Sequence, residues 1–222
     1  MTTRLEIVSD PVCPWCYLGA ANLMRAIGED GGHPFALAWR PFQLDPTLPP
    51  QGIDRAGYLA SKFGGDSASL DATHARIAAM GAEVGIVYRW DRIARAPNTL
   101  GAHRLLRWAA PEGLQTRTAM ALFRRYFELG EDIGDPAVLT AAAAEAGLDG
   151  PAVARLLAGD ADRAEVLAEA EAVREMGVAG VPTFLLAGRY AISGAQPPDF
   201  WADLIGRIES AAAPPPEPAG PS

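Results

Sequence analysis

The stretch DPVCPWCYLGAANLMRAI, residues 10–27, holds Cys13 and Cys16, the only two cysteines in a chain of 222 residues. Pro11 and Pro14 mark a turn. From Trp15 the apolar residues take helical spacing, until the GEDGG run that begins at Gly28 stops it. Immediately before, RLEIVS (residues 4–9) alternates and is rich in strand-forming residues, and HPFALAWR (residues 33–40) is a second strand candidate. A strand, a helix and a strand within about forty residues have the length of a βαβ unit.

Beyond the Pro-rich stretch that begins at Pro41, the texture turns helical for more than a hundred residues. The pattern predicts helices over 54–63, 69–82, 135–146, 151–157 and 160–176, and Asn98 stands where an N-cap for TLGAHRLLRWAA belongs. Ala119, Leu122, Phe123, Tyr126 and Phe127 form the i, i+3, i+4, i+7, i+8 stripe of an amphipathic helix. Strand character returns at Val178: VPTFLLAGRYAISG holds two short apolar runs separated by Ala187, Gly188 and Arg189, a hairpin signal. Pro197 or Pro198 then opens a last helix. The order is therefore β-α-β, a helical block, then β-β-α, and one sheet formed from both ends of the chain is its most economical reading. The expected division is 1–50 and 178–210 for the two parts of this α/β unit, 51–177 for an all-helical insertion, and 211–222 for a disordered Pro-rich tail.

The formal charge of −8 argues against affinity for nucleic acid or an anionic membrane surface, and no apolar segment approaches the roughly 20 residues that span a bilayer. MTTRLEIVSD runs straight into a strand without a secretory leader pattern, so a cytoplasmic location is expected. Thiols are kept reduced there, and a disulfide in such a protein is expected to be transient and catalytic.

A cysteine just ahead of a helix sits where unpaired backbone N–H groups and the positive end of the helix dipole favour a thiolate. The second cysteine lies one turn later on the same face, within reach of a mixed disulfide formed at the first. Cys13 is thus expected to attack and Cys16 to resolve. Two plainer readings compete: a buried, inert cysteine pair, and part of a zinc site. Pro14 and Trp15 look like a turn into a helix rather than a core segment, and His33, His74 and His103 are too dispersed to complete a tetrahedral set, so no metal is expected.

CPWCYLG, WRPFQLDP, PNTLGAHRL, GVAGVPTFLL and ISGAQP follow one another along nearly the whole chain. Together they resemble the DsbA-like thioredoxin-fold proteins of the FrnE branch. The resemblance implies a thioredoxin fold interrupted by a helical domain, and a redox-active Cys13–Cys16 disulfide with no bound cofactor. It further implies a cis Val181–Pro182 bond in a loop against the cysteines, where extended backbone at Val181 could pair with a substrate chain. A disulfide- or thiol-containing protein or small molecule is the expected partner, glutathione is a candidate co-substrate, and a homodimer is the candidate assembly. Glutathione-dependent 2-hydroxychromene-2-carboxylate isomerases and kappa-class glutathione transferases share the architecture, which keeps such an isomerase or transferase as the second reading; they typically carry serine in place of Cys13. A third reading is a binding module without catalysis.

Pro14 and Trp15, between the cysteines, are expected to tune the pair. Strongly oxidising relatives have a histidine before the second cysteine, whose charge stabilises the thiolate; Trp15 offers only bulk and an indole donor, which predicts a less oxidising couple. Asn98 and His103 are candidates to face the cleft, against the plainer reading of an N-cap and a surface histidine. Glu6 is a candidate acceptor for the resolving thiol's proton, against that of an ordinary edge glutamate. Trp39, Tyr58, Trp90 and Trp108 are assigned no role.

Overall fold

A computed structural model describes residues 2–28 and 32–212. Strand β1 (Thr3–Ser9) runs into a tight turn and helix α1 (Pro14–Ile27), which ends at Gly28 in the left-handed region. Strand β2 (Phe35–Pro41) returns parallel to β1, Leu5 facing Leu37 and Ile7 facing Trp39. Near the other end, β5 (Thr183–Leu186) and β6 (Tyr190–Ser193) form a hairpin on Ala187–Gly188–Arg189, whose first two residues both take positive φ. That geometry matches the twist of the strands it joins. β5 lies antiparallel to β1, giving the sheet order β2-β1-β5-β6 from the two ends of the chain.

Alternation along β1 divides the sheet's surroundings. Leu5 and Ile7, with Phe184 and Leu186 of β5, enter the main core with Cys13, Cys16 and Leu23 of α1 and Trp201 of the last helix, α9 (Pro198–Ala212). Val8 and Leu185 point to the other face and meet Phe42, Val173 and Val178. Glu6 shares this second face, where its Oε1 accepts from Arg4 and Arg40 at 2.8 and 2.9 Å. Buried and doubly paired there, it is turned away from the cysteines and is not the proton acceptor considered from sequence.

Between the halves of the sheet lie α2 (Arg55–Lys62), α3 (Ser67–Ala82), α4 (Leu100–Ala109), α5 (Gln115–Arg124), α6 (Pro136–Ala146), α7 (Gly150–Leu157) and α8 (Arg163–Glu175). Asp54, Asp66, Asp135 and Asp149 cap four of them through their carboxylates, which sets these starts locally. Three departures from the sequence reading stand out. The aromatic stripe is not one continuous α-helix: after Arg124 the backbone widens into a π segment, Arg125–Leu129, that buries Tyr126 and Phe127 side by side. Strands β3 (Ile53–Asp54) and β4 (Arg95–Ala96) make a two-stranded ribbon too short to leave a pattern. Helix α9 runs on through Ala212, two residues past the expected start of the tail, and the remainder of that tail, 213–222, lies outside the described residues. Among the described residues, no helix is long and apolar enough to cross a membrane.

Candidate active site

Cys13 is the N-cap of α1: its N–H donates to the Asp10 carbonyl at 2.9 Å, and its own carbonyl accepts from Cys16 N–H at 3.0 Å. Pro14 occupies the first helical position, where a missing N–H costs nothing. Both cysteines are free thiols, Cys13 4% and Cys16 1% exposed. Burial, reinforced by the neighbouring Cys13, holds the Cys16 thiol well above the ordinary range, with Ser9 and the Asp10 backbone acting against this. Cys13 Sγ points at the Val181 carbonyl, 3.7 Å away, in the loop whose Val181–Pro182 bond is cis.

This approach of loop to helix depends on Gly19. A Cβ there would lie 3.2 Å from Pro182 Cγ and 3.3 Å from Ala195 Cα, so even a methyl group needs the loop to give by a few tenths of an ångström, and a branched side chain needs more. Asn22, one turn further, donates to the Gln196 carbonyl at 2.8 Å and ties α1 to the same region. The other side is held by the helical insertion. Tyr88 donates its hydroxyl to the Pro14 carbonyl at 2.8 Å and packs edge-on against Tyr17. Burial raises the Tyr88 hydroxyl far above the tyrosine range, so it stays a neutral donor.

Cys13 opens onto a cavity of about 310 Å³ between α1 and the insertion. Trp15 and Val181 belong to its lining, as do Tyr126 and Phe127 of the π segment, and the α2–α3 wall, its roof, is made by Leu59, by Phe63 just past the end of α2, and by Leu70 and Ile77. Arg55, Lys62 and His74 bring nitrogen atoms to it. His74 stacks on Trp90 at 4.2 Å, and Arg55 lies over the same indole with Nη2 3.5 Å from His74 Nε2. Burial and the Arg55 charge both push the imidazole below its usual value, which keeps it neutral.

Asp10 also reaches the cavity. It is buried, accepts from Leu44 N–H at 2.7 Å through Oδ2, and turns Oδ1 toward His103 Nε2 at 3.7 Å. His103 is buried behind Asp10, 3.1 Å from the Phe42 carbonyl, and does not line the cavity. Neither does Asn98, whose amide donates to the Leu48 carbonyl at 2.7 Å and accepts from Leu100 N–H at 3.0 Å. It fastens the Pro-rich loop to the start of α4, so its visible work is structural; the N-cap itself is Thr99. Sequence reasoning left Arg55, Tyr58, His74 and Trp90 without a role, and each lines the cavity. Scattered over two helices and a loop, they carry no motif. Trp39 and Trp108 are held by their indole N–H groups on Thr116 and Asp162. Among the described residues there is no cluster of three or more side chains suited to a metal ion.

Residues 4–206 match the model of the DSBA-like thioredoxin domain. The chain is similar to the crystal structure of a probable DsbA oxidoreductase from Streptomyces coelicolor, 30% identical with a TM-score of 0.82, covering 98% of this chain and 94% of that one. It is also similar to a Bacillus subtilis protein of uncharacterized function, YwbO, 28% identical over 210 residues, 92% of this chain and 96% of that protein. The fold is shared with the cytosolic disulfide reductase DsbM from Pseudomonas aeruginosa, solved with glutathione, at 22% identity and a TM-score of 0.65 over 93% of this chain and 99% of that one.

Proposed function

From the premise that the chain belongs to the family of DSBA-like thioredoxin domains, we propose that it is a thiol–disulfide oxidoreductase in which Cys13 attacks and Cys16 resolves. One observation carries this reading: Cys13 caps the helix N-terminus and opens onto a cavity, while Cys16 lies one turn behind it, closed off from solvent. Cys13, as its thiolate, attacks a substrate disulfide, forming a mixed disulfide and releasing one substrate thiolate. Cys16 gives up its proton to a released substrate thiolate and attacks Cys13 Sγ; the second substrate thiolate leaves and the enzyme holds Cys13–Cys16 as a disulfide. Two electrons pass from the pair to the substrate, and a thiol reductant such as glutathione restores the dithiol by the reverse exchange. Run backwards, the same steps oxidise a substrate dithiol.

Pro14 fixes the first helical residue, and Trp15 screens the pair without adding a charge, so the couple is less oxidising than one with a histidine beside the resolving cysteine. Val181 and Pro182 border the substrate position, the Val181 carbonyl facing Cys13 Sγ. Asn98 acts at one remove, through the loop it fastens. The second cysteine counts against the glutathione-dependent isomerase reading, since a resolving thiol serves to release glutathione from a mixed disulfide with Cys13, a step that an isomerase has no need of.

The test is to trap the intermediate. Cys16→Ser should accumulate a mixed disulfide visible by intact mass, and Cys13→Ser should form none and lose disulfide reduction altogether. Wild-type turnover by Cys13→Ser would overturn the assignment. Equilibration with glutathione buffers reads the couple, and a potential as high as that of histidine-containing oxidants would remove the role given to Trp15.

A further inference from the structure

Resting on the redox reading above, the structure also points to the class of substrate. The nucleophile is not presented on an open face: Cys13 is 4% exposed and shares its cavity with Leu59, Phe63, Leu70 and Ile77. A disulfide on a folded protein carries flanking main chain on both sides, and a thiol this deeply buried leaves little room for it. A small disulfide needs only the cavity, whose walls are largely aromatic and aliphatic.

The charges discriminate further. Asp10 is engaged by Leu44 N–H, and Asp45 by the Thr47 hydroxyl and N–H, with Lys62 nearby helping to hold its carboxyl below the usual range. Among the described residues, neither Arg55 nor Lys62 has a carboxylate within ion-pair distance. Lys62 donates to the Tyr58 hydroxyl at the rim, while the half-buried Arg55 lies over Trp90. Arg55 also borders an adjoining hollow lined by Asp66, Asp71 and Asp91, where an anion would be repelled. In the Cys13 cavity Arg55 and Lys62 balance Asp10 and Asp45, whereas in the adjoining hollow three carboxylates face Arg55, so of the two the cavity with Cys13 suits a ligand anion better. We propose that the cavity takes small disulfides, or the matching thiols, with an aromatic or apolar body and a carboxylate that pairs with Arg55, and that it excludes disulfides of folded proteins.

The test compares three disulfides with the dithiothreitol-reduced full chain: dithiobis(nitrobenzoate), aromatic and anionic; dithiodipyridine, aromatic and neutral; and insulin. Each rate is normalised to that substrate's reaction with free dithiothreitol, which also supplies the electrons for turnover. The normalised rate with dithiobis(nitrobenzoate) should exceed that with insulin by about a hundredfold or more, and Arg55→Gln should raise its KM by about tenfold, the worth of one charge-assisted contact. Dithiodipyridine should be indifferent to Arg55→Gln, and Arg55→Lys should restore most of the loss.

Insulin reduced on a par with the small disulfides, or an Arg55→Gln loss shared equally by both small substrates, would overturn the inference. A binding arm separates it from the redox reading: the chain carrying both Cys13→Ser and Cys16→Ser should still bind thionitrobenzoate, read by tryptophan quenching, and lose that binding on Arg55→Gln. Binding with that dependence but no wild-type turnover of any disulfide sinks the redox reading alone. Turnover without discrimination sinks this inference alone.

Discussion

The two walls of the Cys13 cavity are built differently. On the sheet side, α1 is buried from Cys16 through Leu23, and backbone and side-chain bonds clamp both of its flanks. On the roof side, α2 buries no residue and α3 only Ile77 and Gly81, and Phe63 stands 52% exposed. Thiol chemistry demands sulfur atoms held to within fractions of an ångström, whereas selecting a substrate demands a surface of the right shape and charge. The rigid wall carries the first task and the lightly packed roof the second, so substitutions on the two sides should have opposite signatures.

Gly19→Val should be the most damaging change on the rigid side. The side chain overpacks against Pro182, which at the upper end of such costs is about 3 kcal/mol, and thermal unfolding should show it together with slower attack by Cys13. Asp10→Ala removes the buried carboxylate that accepts from Leu44 N–H and loosens the loop that brings Leu44, Asp45 and Leu48 to the cavity. About 2 kcal/mol of stability should go, measured by urea unfolding.

Cys16 gives a pH test on the same side. Its thiol is raised above the unfolded value by burial first and Cys13 second, so the folded chain keeps a proton that the unfolded chain releases. The associated stability is fully present below the unfolded thiol pKa of about 8.5 and is lost as pH rises above it, at up to about 1.4 kcal/mol per pH unit. The reduced protein should therefore unfold progressively more easily between about pH 8.5 and pH 10, below the range where buried tyrosines enter, and Cys16→Ala should remove that part of the slope. An unchanged slope in Cys16→Ala would break the assignment of the buried proton. Tyr88→Phe removes the bond to Pro14 and should cost about 1 kcal/mol, with a measurable change in the thiol–glutathione equilibrium. On the roof, Phe63→Ala should change stability by less than about 0.5 kcal/mol and raise KM while leaving kcat alone.

Much of the rigid wall is readable along the chain because its signals are local. Cys13 ahead of Pro14 and a helical repeat specifies an N-cap; alternation in β1 and the turn at Ala187–Arg189 specify strands; aspartates ahead of apolar runs specify helix starts. Where such signals are weak or ambiguous, the reading slipped. The stripe through Phe127 gives no notice that the helix widens after Arg124, because a π segment is chosen by packing. Glu6 is set apart from an exposed glutamate by its burial and by Arg40, thirty-four residues away, and Asn98 and His103 take partners from the Pro-rich loop.

The sequence by itself determined that the chain ends share one sheet, that a dithiol pair starts a helix, and that Cys13 and Cys16 have unequal positions, because caps, turns and periodicity act over a few residues. Only the tertiary structure decided what stands opposite the nucleophile. Arg55, His74 and Trp90 meet Cys13 and Trp15 across a gap that no local pattern encodes, since the cavity is what remains when separate helices, each folded for its own reasons, fail to close against one another.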